Sequence, residues 1–320
     1  MMMRTAIIDL GTNSVRFDIH EFRRNSQVVL LYREKIMVRL GQDVFTTGKI
    51  NPEAAQRTLN AFLKFRRISQ LLHANRVIAF GTSALRDAQN GRYFIQKIYQ
   101  KTGIPLRVMS GKEEAKMIAL GILKNEKALS ERFALVDIGG GSTEISIIKK
   151  RKLEFSQSFQ LGTARLQQIF LKKSPPSPRD LKKLRVFIDQ TFLKESPKRR
   201  DEKLSVILGS SGTIRAISKI FRKVYQTSII DIENLINLID RMSLMTSSEL
   251  LKIPGMKPER VDMILAGALL LHGCMSHLNV KKVKTTEFSL RDGILEMEKK
   301  RILSSKKPQL DSRVHSPRFT

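Results

Sequence analysis

The feature that most constrains this chain is a glycine-rich turn between two apolar runs. Residues 137–144 read Asp-Ile-Gly-Gly-Gly-Ser-Thr-Glu, and apolar residues precede and follow them. Because glycine lacks a Cβ, such a backbone can adopt positive φ, and its N–H groups can approach an anion closely. An ordinary hairpin turn is more often Asn-Gly or Asp-Gly. The pattern therefore predicts two strands joined by a phosphate-binding turn, formed by Gly139, Gly140, Gly141 and Ser142.

Two carboxylates bracket this turn and indicate a bound cation. Asp137 ends the first predicted strand, and Glu144 lies on the second. Carboxylates beside a phosphate site usually hold a hard cation such as Mg²⁺. A Walker loop is excluded because no Gly-Lys-Ser/Thr follows, and a dinucleotide fingerprint is excluded because a strand follows instead of a helix. We expect Asp137 and Glu144 to bind Mg²⁺.

The amino-terminal segment repeats the pattern of strand, aspartate, small-residue turn and strand. Asp9 and Asp137 are 128 residues apart (137 − 9), and each opens a run of hairpin strands followed by helices. An internal duplication would leave this pattern. The sequence therefore predicts two similar α/β lobes at residues 1–128 and 129–303, and a basic disordered tail at 304–320. By the same comparison, Asp9 is a third candidate metal ligand, and the turn contributes the candidate phosphate contacts Asn13 and Ser14.

Two further loops connect a predicted strand to a predicted helix. Ligands of open α/β sheets bind beyond the carboxyl ends of strands, so Ser83 and Arg86 are placed to meet one. The alternative is that Ser83 only caps a helix and that Arg86 is solvated. The second loop is a small-residue segment at a helix amino terminus, which is a ready anion site. Its candidate phosphate contacts are Gly209, Ser210, Ser211 and Gly212.

Glu114 is a candidate for chemistry because its neighbour already has a structural role. Ser110 and Glu113 have the spacing of a capping box, in which the glutamate accepts from the backbone N–H of the cap residue. Glu114 lies about 100° further round the helix and is free to face a cleft. The alternative is an ordinary surface glutamate in the first turn of a helix.

The charge balance predicts a polyanionic partner. Lysine and arginine total 58 against 30 aspartates and glutamates, a formal charge of +28. Polyphosphate, nucleic acid and acidic membrane surfaces would all be attracted. The segment 250–258 contains an Ile-Pro-Gly turn that resembles a helix-hairpin-helix element. However, it lacks a second glycine two residues on, and Met256 and Pro258 would not present N–H groups cleanly to phosphate. We favour a plain interhelical turn there and expect no specific nucleic-acid partner.

The single cysteine and the lengths of the apolar runs indicate the cellular compartment of the protein. Cys274 lies in an apolar run, so we predict a buried thiol, no disulfide framework and a reducing environment. The apolar run near the amino terminus is too short for a signal peptide, and no run reaches membrane-spanning length. We expect a cytoplasmic protein with no membrane partner.

Six blocks of this sequence, in this order, resemble the exopolyphosphatase and guanosine pentaphosphate phosphatase family. The resemblance implies an α/β fold with duplicated actin-like, sugar-kinase or Hsp70-type (ribonuclease H-like) lobes and an active site in the cleft between them. It implies that Glu114 is the catalytic base, that Asp137 and Glu144 hold Mg²⁺, and that Arg16 and Arg86 bind phosphate. The blocks are 9–16, 81–86, 110–115, 137–144, 209–213 and 290–293.

The function that this resemblance implies is Mg²⁺-dependent release of terminal orthophosphate from polyphosphate or guanosine pentaphosphate. Longer members of the family carry additional helical domains, and this chain resembles the short two-domain form, so either substrate fits. The family also suggests a homodimer. Two alternatives stay open: an ATP-dependent kinase or ATPase of the same superfamily, and a non-catalytic module that binds polyphosphate or nucleic acid.

Overall fold

The computed structural model describes residues 3–23, 27–127, 129–195 and 204–304. Two β-sheets form the framework of the two lobes. The strands of the first sheet are β1 (Met3–Leu10), β2 (Ser14–Phe22), β3 (Val28–Met37), β4 (Arg76–Gly81) and β5 (Leu106–Val108). The strands of the second are β6 (Arg132–Ile138), β7 (Thr143–Lys149), β8 (Lys152–Phe159), β9 (Ile207–Ser210), β10 (Ile230–Asp231) and β11 (Lys282–Thr285).

Helices cover the faces of both sheets. They are α1 (Val44–Thr47), α2 (Pro52–Leu71), α3 (Ser83–Asp87), α4 (Gly91–Thr102), α5 (Gly111–Asn125), α6 (Thr163–Phe170), α7 (Pro178–Glu195), α8 (Ser211–Val224), α9 (Ile232–Ser243), α10 (Ser247–Leu250), α11 (Ile264–His277) and α12 (Leu290–Ser304), with a 3-10 helix at Pro258–Arg260. The inner strands β1 and β6 are almost wholly buried, whereas the edge strand β3 is partly exposed along its length. Continuous apolar runs are typical of strands that are covered on both faces.

The two sheets have the same topology, which confirms the predicted duplication. The strand order is β3-β2-β1-β4-β5 in the first sheet and β8-β7-β6-β9-β11 in the second, which adds β10 at its edge. The pairing directions correspond strand by strand. Each sheet also has a register irregularity, after Ile19 in one and after Ile147 in the other, and these residues are 128 apart (147 − 19). The same offset separates Asp9 from Asp137.

Strand register places the two acidic turns at equivalent edges of the sheets. Asp9 pairs with Arg16 across the β1–β2 hairpin, and Asp137 pairs with Glu144 across the β6–β7 hairpin. Asp137 also lies beside Ser210 on the parallel strand β9. The carboxyl ends of the parallel strands therefore bring the loops of each lobe to one edge, where a ligand site is expected.

Helices α5 and α12 connect the lobes. Ile118 of α5 and Ile294 of α12 belong to one buried apolar cluster that includes Ile7 of the first sheet and Leu135 of the second. Although α12 follows the second-lobe strand β11, it packs against α5 and β1 of the first lobe. The lobe boundaries at 1–128 and 129–303 stay a prediction.

Several local predictions have a definite outcome. The capping box of Ser110 and Glu113 is present at the start of α5.

Cys274 is fully buried, and burial raises the pKa of its thiol, so the predicted core thiol is confirmed. Gly255 has φ +92° and lies against the backbone of α8, which supports a plain packing turn. Among the described residues, no helix is long and apolar enough to cross a membrane. Of the tail predicted at 304–320, Ser304 is instead the last residue of α12, and residues 305–320 lie outside the described residues.

Candidate functional site

The loops of both lobes meet at a cavity of about 110 Å³. Most of the residues that the sequence singled out contribute to its lining. Those from the first lobe are Asp9, Asn13, Ser14, Arg16, Ser83 and Glu114. Those from the second are Asp137, Gly139, Gly140, Ser142, Ser211 and Gly212. The cavity is therefore an interlobe cleft that gathers the small-residue loops and the acids into one site.

The remaining candidates lie around the cleft and not in its lining. Glu144 is 3% exposed, and its Oε1 accepts a hydrogen bond of 2.7 Å from Ser158 Oγ. Ser210 Oγ donates to the Phe288 carbonyl at 3.0 Å. Gly209 packs inside the sheet, where a Cβ would lie 2.6 Å from Ile214. Gly141 packs closely against the first lobe, where a Cβ would lie 2.5 Å from Ser83 Oγ, and Arg86 lines a neighbouring cavity.

Ser83 lines the cleft and is not the N-cap residue of α3. The N-cap residue of α3 is Thr82, and no side-chain cap hydrogen bond forms there. Ser83 Oγ lies 3.0 Å from Thr12 Oγ1, in a buried contact between the two first-lobe loops. The alternative that Ser83 only caps a helix was therefore wrong.

Four buried carboxyl groups repel one another in this region. Burial raises the pKa of Asp9 and of Asp137. Burial, and next the charge of Asp137, raise the pKa of Glu144 to about 7. Burial, and next the charge of Glu144, raise the pKa of Glu114 well above its usual range. A cation placed among these groups would remove the repulsion and favour their charged forms.

The carboxylates around the cleft suit a Mg²⁺ ion that is bound by the protein and by phosphate oxygens of a substrate together. Glu114 is 8% exposed, and its Oε2 has no hydrogen-bond partner, although Arg86 Nη1 lies 3.5 Å away. Within the described parts of the chain, no three His, Cys, Asp or Glu side chains are placed to hold a metal by themselves. Mg²⁺ commonly takes only one or two carboxylates and completes its octahedron with water and phosphate oxygens. The residues fit that mode of binding.

The amino terminus of α6 orients the glycine turn. Thr163 N donates to the Gly139 carbonyl at 3.0 Å, and Ala164 N donates to the Gly140 carbonyl at 2.8 Å. Arg165 Nε donates to the Gly141 carbonyl at 2.8 Å. In a trans peptide the C=O and the next N–H point in opposite directions. The three amide N–H groups that follow these carbonyls therefore point away from α6, as a phosphate cradle requires.

Arg165 is a functional candidate that sequence reasoning missed. Besides holding the Gly141 carbonyl, its guanidinium pairs with Asp87 of the first lobe and lies 4.3 Å from the Phe45 ring centroid. One side chain thus links the glycine turn to two first-lobe elements. No local spacing indicates this role, because every contact is made across a long separation in sequence.

Replacing Arg165 with glutamine should lower kcat/KM for the substrate more than it lowers the stability of the fold. The change removes the ion pair, the ring contact and a donor to a buried carbonyl, whose loss costs about 1–3 kcal/mol. We expect kcat/KM for phosphate release to fall about 10- to 100-fold. Steady-state kinetics and thermal unfolding measure the two effects.

Arg185→Gln is the matched control for Arg165→Gln. Arg185 also pairs with an aspartate, Asp240 at 3.9 Å, but both side chains are exposed on the surface. Exposed pairs contribute about 0–1 kcal/mol, so this control should keep nearly full activity. Equal activity of Arg165→Gln and Arg185→Gln would contradict the role given to Arg165.

A group of arginines beside the cleft was also missed. Burial lowers the pKa of Arg215 and of Arg260, and the charge of Arg16 lowers both further. Burial, with the charges of Arg260 and Arg16, lowers the pKa of Lys35 to about 8. Like charges held this close favour a polyanion between them. The sequence revealed only the overall excess of positive charge, since these residues come together through the fold.

Comparisons with known proteins agree over nearly the whole chain. The sequence model of the Ppx/GppA phosphatase family matches residues 19–301. Exopolyphosphatase 1 of Mycobacterium tuberculosis is 26% identical over 307 residues, which cover 92% of this chain and 87% of that protein.

Solved structures show the same fold. An exopolyphosphatase from Cytophaga hutchinsonii superposes with a TM-score of 0.83 at 26% identity, covering 93% of this chain and 98% of that one. The Aquifex aeolicus member of the Ppx/GppA protein family has a TM-score of 0.75 at 22% identity, covering 96% and 100%. The resemblance read from the six sequence blocks and the actin-like fold class are both confirmed.

Proposed function

Because the chain belongs to the Ppx/GppA phosphatase family, we propose that it releases the terminal orthophosphate of inorganic polyphosphate by hydrolysis. The observation that carries the proposal is the Oε2 of buried Glu114, which accepts no hydrogen bond from the described residues and has Arg86 Nη1 3.5 Å away. Glu114 lines a cleft that is also lined by the glycine-rich turn. Two similar proteins, from Mycobacterium tuberculosis and Cytophaga hutchinsonii, bear the name exopolyphosphatase and match nearly full length.

Glu114 acts as the general base in this proposal. A water oxygen attacks the terminal phosphorus, the bond from that phosphorus to the bridging oxygen breaks, and Glu114 Oε2 takes a proton from the water. The leaving chain keeps the bridging oxygen as a new terminal phosphate, and the proton then passes to solvent. A carboxylate with a raised pKa is a stronger base than an exposed one, and a base is most effective when its pKa lies near the working pH.

Positive groups stabilise the charge that develops on the transferred phosphoryl group. Arg16 and three residues of the glycine turn, Gly139, Gly140 and Ser142, line the cleft. The guanidinium and free N–H groups of the turn would contact the phosphate oxygens there. Arg86 Nη1 donates to the Met109 carbonyl at 2.8 Å and lies 3.5 Å from Glu114, so it both positions the base and borders the reacting phosphate. Phosphoryl transfer depends mainly on such positioning and electrostatic stabilisation.

Mg²⁺ is the proposed cofactor, with Asp9, Asp137 and Glu144 as the residues that would hold it, directly or through water. When bound, it would neutralise phosphate oxygens. The support is that Asp9 and Glu144 are buried, that Asp137 pairs with Glu144 across the hairpin, and that burial raises the pKa of all three carboxyl groups. A cation among them would favour their charged forms.

The same carboxyl groups predict a pH-dependent response to Mg²⁺. A carboxyl whose pKa is raised in the folded state adds stability that is complete below its unfolded pKa and is lost as pH rises through the folded value, about 7 for Glu144. Without Mg²⁺ the melting temperature should fall between pH 6 and pH 8, and added Mg²⁺ should restore it most at pH 8. Differential scanning calorimetry tests this, and an equal Mg²⁺ effect at both pH values would contradict it.

Guanosine pentaphosphate is the second candidate substrate. Arg215 and Arg260 add positive charge beyond that of Arg16, more than a single terminal phosphate requires. Guanosine pentaphosphate carries phosphate groups at two positions of its ribose. The group that is not hydrolysed could bind Arg215 and Arg260. The predicted homodimer is a separate proposal that sedimentation analysis can check.

The test of the proposed function is a parallel assay of three substrates with Mg²⁺. Orthophosphate release is followed from polyphosphate of defined length, from guanosine pentaphosphate and from ATP. We expect release from polyphosphate, with or without release from the guanosine nucleotide, and little from ATP. Turnover of ATP that needs a second substrate would favour the kinase alternative. Binding of polyphosphate without release from any substrate would favour the binding module.

A further inference from the structure

A second and larger cavity adjoins the cleft. Its volume is about 410 Å³, and Ser142 of the glycine turn lines both cavities. Arg86 of α3, Lys112 of α5 and Arg165 of α6 contribute to its wall, together with Ser158 of β8. The lining is therefore polar and comes from both lobes, as that of the cleft does.

The partition between the cavities is built from side chains that contact the proposed catalytic acids. Arg86 Nη1 lies 3.5 Å from Glu114 Oε2. Ser158 Oγ donates to Glu144 at 2.7 Å. Both partners line the second cavity, whereas Glu114 lines the cleft. A phosphate cleaved beside Glu114 is thus one side chain away from the second cavity.

The charge of the second cavity favours an anion. Three cationic side chains line it against one carboxylate, Asp87, which is already paired with Arg165. Arg86 is committed to Glu114 and to a carbonyl. Lys112 is exposed and has no ion pair within the part of the chain that the structure describes. It lies in the first turn of α5, where the helix dipole also attracts negative charge.

We infer that this second cavity binds the released orthophosphate and is the route by which it leaves, while the shortened polymer stays in the cleft. This inference rests on the proposed function, because orthophosphate is its product. Arg16 and Arg260 line the cleft but not the second cavity, so the polymer has cationic partners of its own. The two anions then leave the reaction point in different directions, and the polymer can advance without first dissociating.

The first test measures orthophosphate binding directly. Equilibrium dialysis with labelled orthophosphate is run on the full chain and on Lys112→Gln and Lys112→Glu. Charge reversal at a partly solvated site should weaken binding about tenfold, and neutralisation should weaken it less. The matched control is Lys116→Glu, since Lys116 is exposed one turn further along α5 and does not line the cavity. Unchanged binding in both Lys112 variants would overturn the inference.

The second test measures product inhibition. If orthophosphate binds while the polymer occupies the cleft, its inhibition of polyphosphate hydrolysis is noncompetitive, and Lys112→Glu shifts the inhibition constant upward. Purely competitive inhibition would place orthophosphate in the cleft and overturn the exit route. The two proposals fail separately. If the protein hydrolyses polyphosphate but the Lys112 variants bind orthophosphate normally, only the role of the second cavity is rejected. Absence of hydrolysis rejects the proposed function and the exit route, while Lys112-dependent binding would keep the cavity as an anion site.

Discussion

Glu114→Gln should lower the rate of orthophosphate release about 10²- to 10⁴-fold, the range typical for loss of a general base. The amide keeps the size of the side chain but cannot take a proton from water. Polyphosphate binding should persist, because the glycine turn and the arginines are untouched. The variant should also melt at a higher temperature without Mg²⁺, since it removes a buried carboxyl that other carboxyl groups repel. Release assays, binding assays and calorimetry check the three effects.

Glu113→Gln is the matched control for this experiment. Glu113 is the next residue, and its carboxylate accepts from Ser110 N at 2.9 Å in the capping box of α5. Its replacement should cost up to about 1 kcal/mol of stability and leave the chemistry almost intact. If Glu114→Gln releases orthophosphate as fast as Glu113→Gln does, Glu114 is not the base.

Gly293→Ala should be severely destabilising. A Cβ at Gly293 of α12 would lie 1.8 Å from the Met117 carbonyl oxygen of α5. The position of this Cβ is fixed by the backbone of α12, and the carbonyl belongs to the backbone of α5, so neither atom can yield locally. Gly121 of α5 makes the reciprocal approach, with a Cβ that would lie 2.5 Å from Gly293 N. Relief of the clash requires the helices to separate, which should cost about 3 kcal/mol or more. Activity should fall as well, because α5 carries Glu114.

Urea unfolding measures the effect, with Met297→Ala as the control. Met297 lies on the same helix one turn further on and is 40% exposed, so its truncation should change the free energy of unfolding by no more than about 0.5 kcal/mol. A Gly293→Ala protein as stable as the Met297→Ala protein would show that α5 and α12 do not pack as closely as described.

The sequence predicted the parts of the site that depend on local pattern. The acidic glycine turns, their repetition at an offset of 128 and the capping box of α5 follow from spacing alone, and the structure contains all of them. The capping box also explains why Glu113 faces its own backbone while Glu114 lines the cleft. Short-range hydrogen bonding and side-chain periodicity decide such features before tertiary packing does.

The parts that the sequence did not predict depend on packing between distant segments. Arg165 gains its role from contacts with Asp87 and Phe45 of the other lobe. In the sequence, Gly293 belongs only to a family block, whereas its tight fit against Met117 follows from the path of α12 back to the first lobe. Such contacts leave no periodic trace, so the sequence could indicate a family but not these roles.

The buried acids also weigh against the non-catalytic alternative. A module that only holds polyphosphate gains nothing from carboxyl groups in its cleft, because they repel the ligand unless a cation lies among them. Here Glu114 and Asp137 line the cleft, and buried Glu144 pairs with Asp137 across the β6–β7 hairpin. Their presence beside a phosphate cradle favours cation-assisted hydrolysis.

The most direct test of that chemistry is polyphosphate hydrolysis in water enriched in oxygen-18, with mass analysis of the released orthophosphate. Water attack at the terminal phosphorus predicts that each orthophosphate carries one oxygen from the solvent, with no nucleotide or other acceptor present. Orthophosphate without solvent oxygen, or release that requires an acceptor, would contradict water attack at the terminal phosphorus. Release that requires an acceptor would indicate a phosphotransferase.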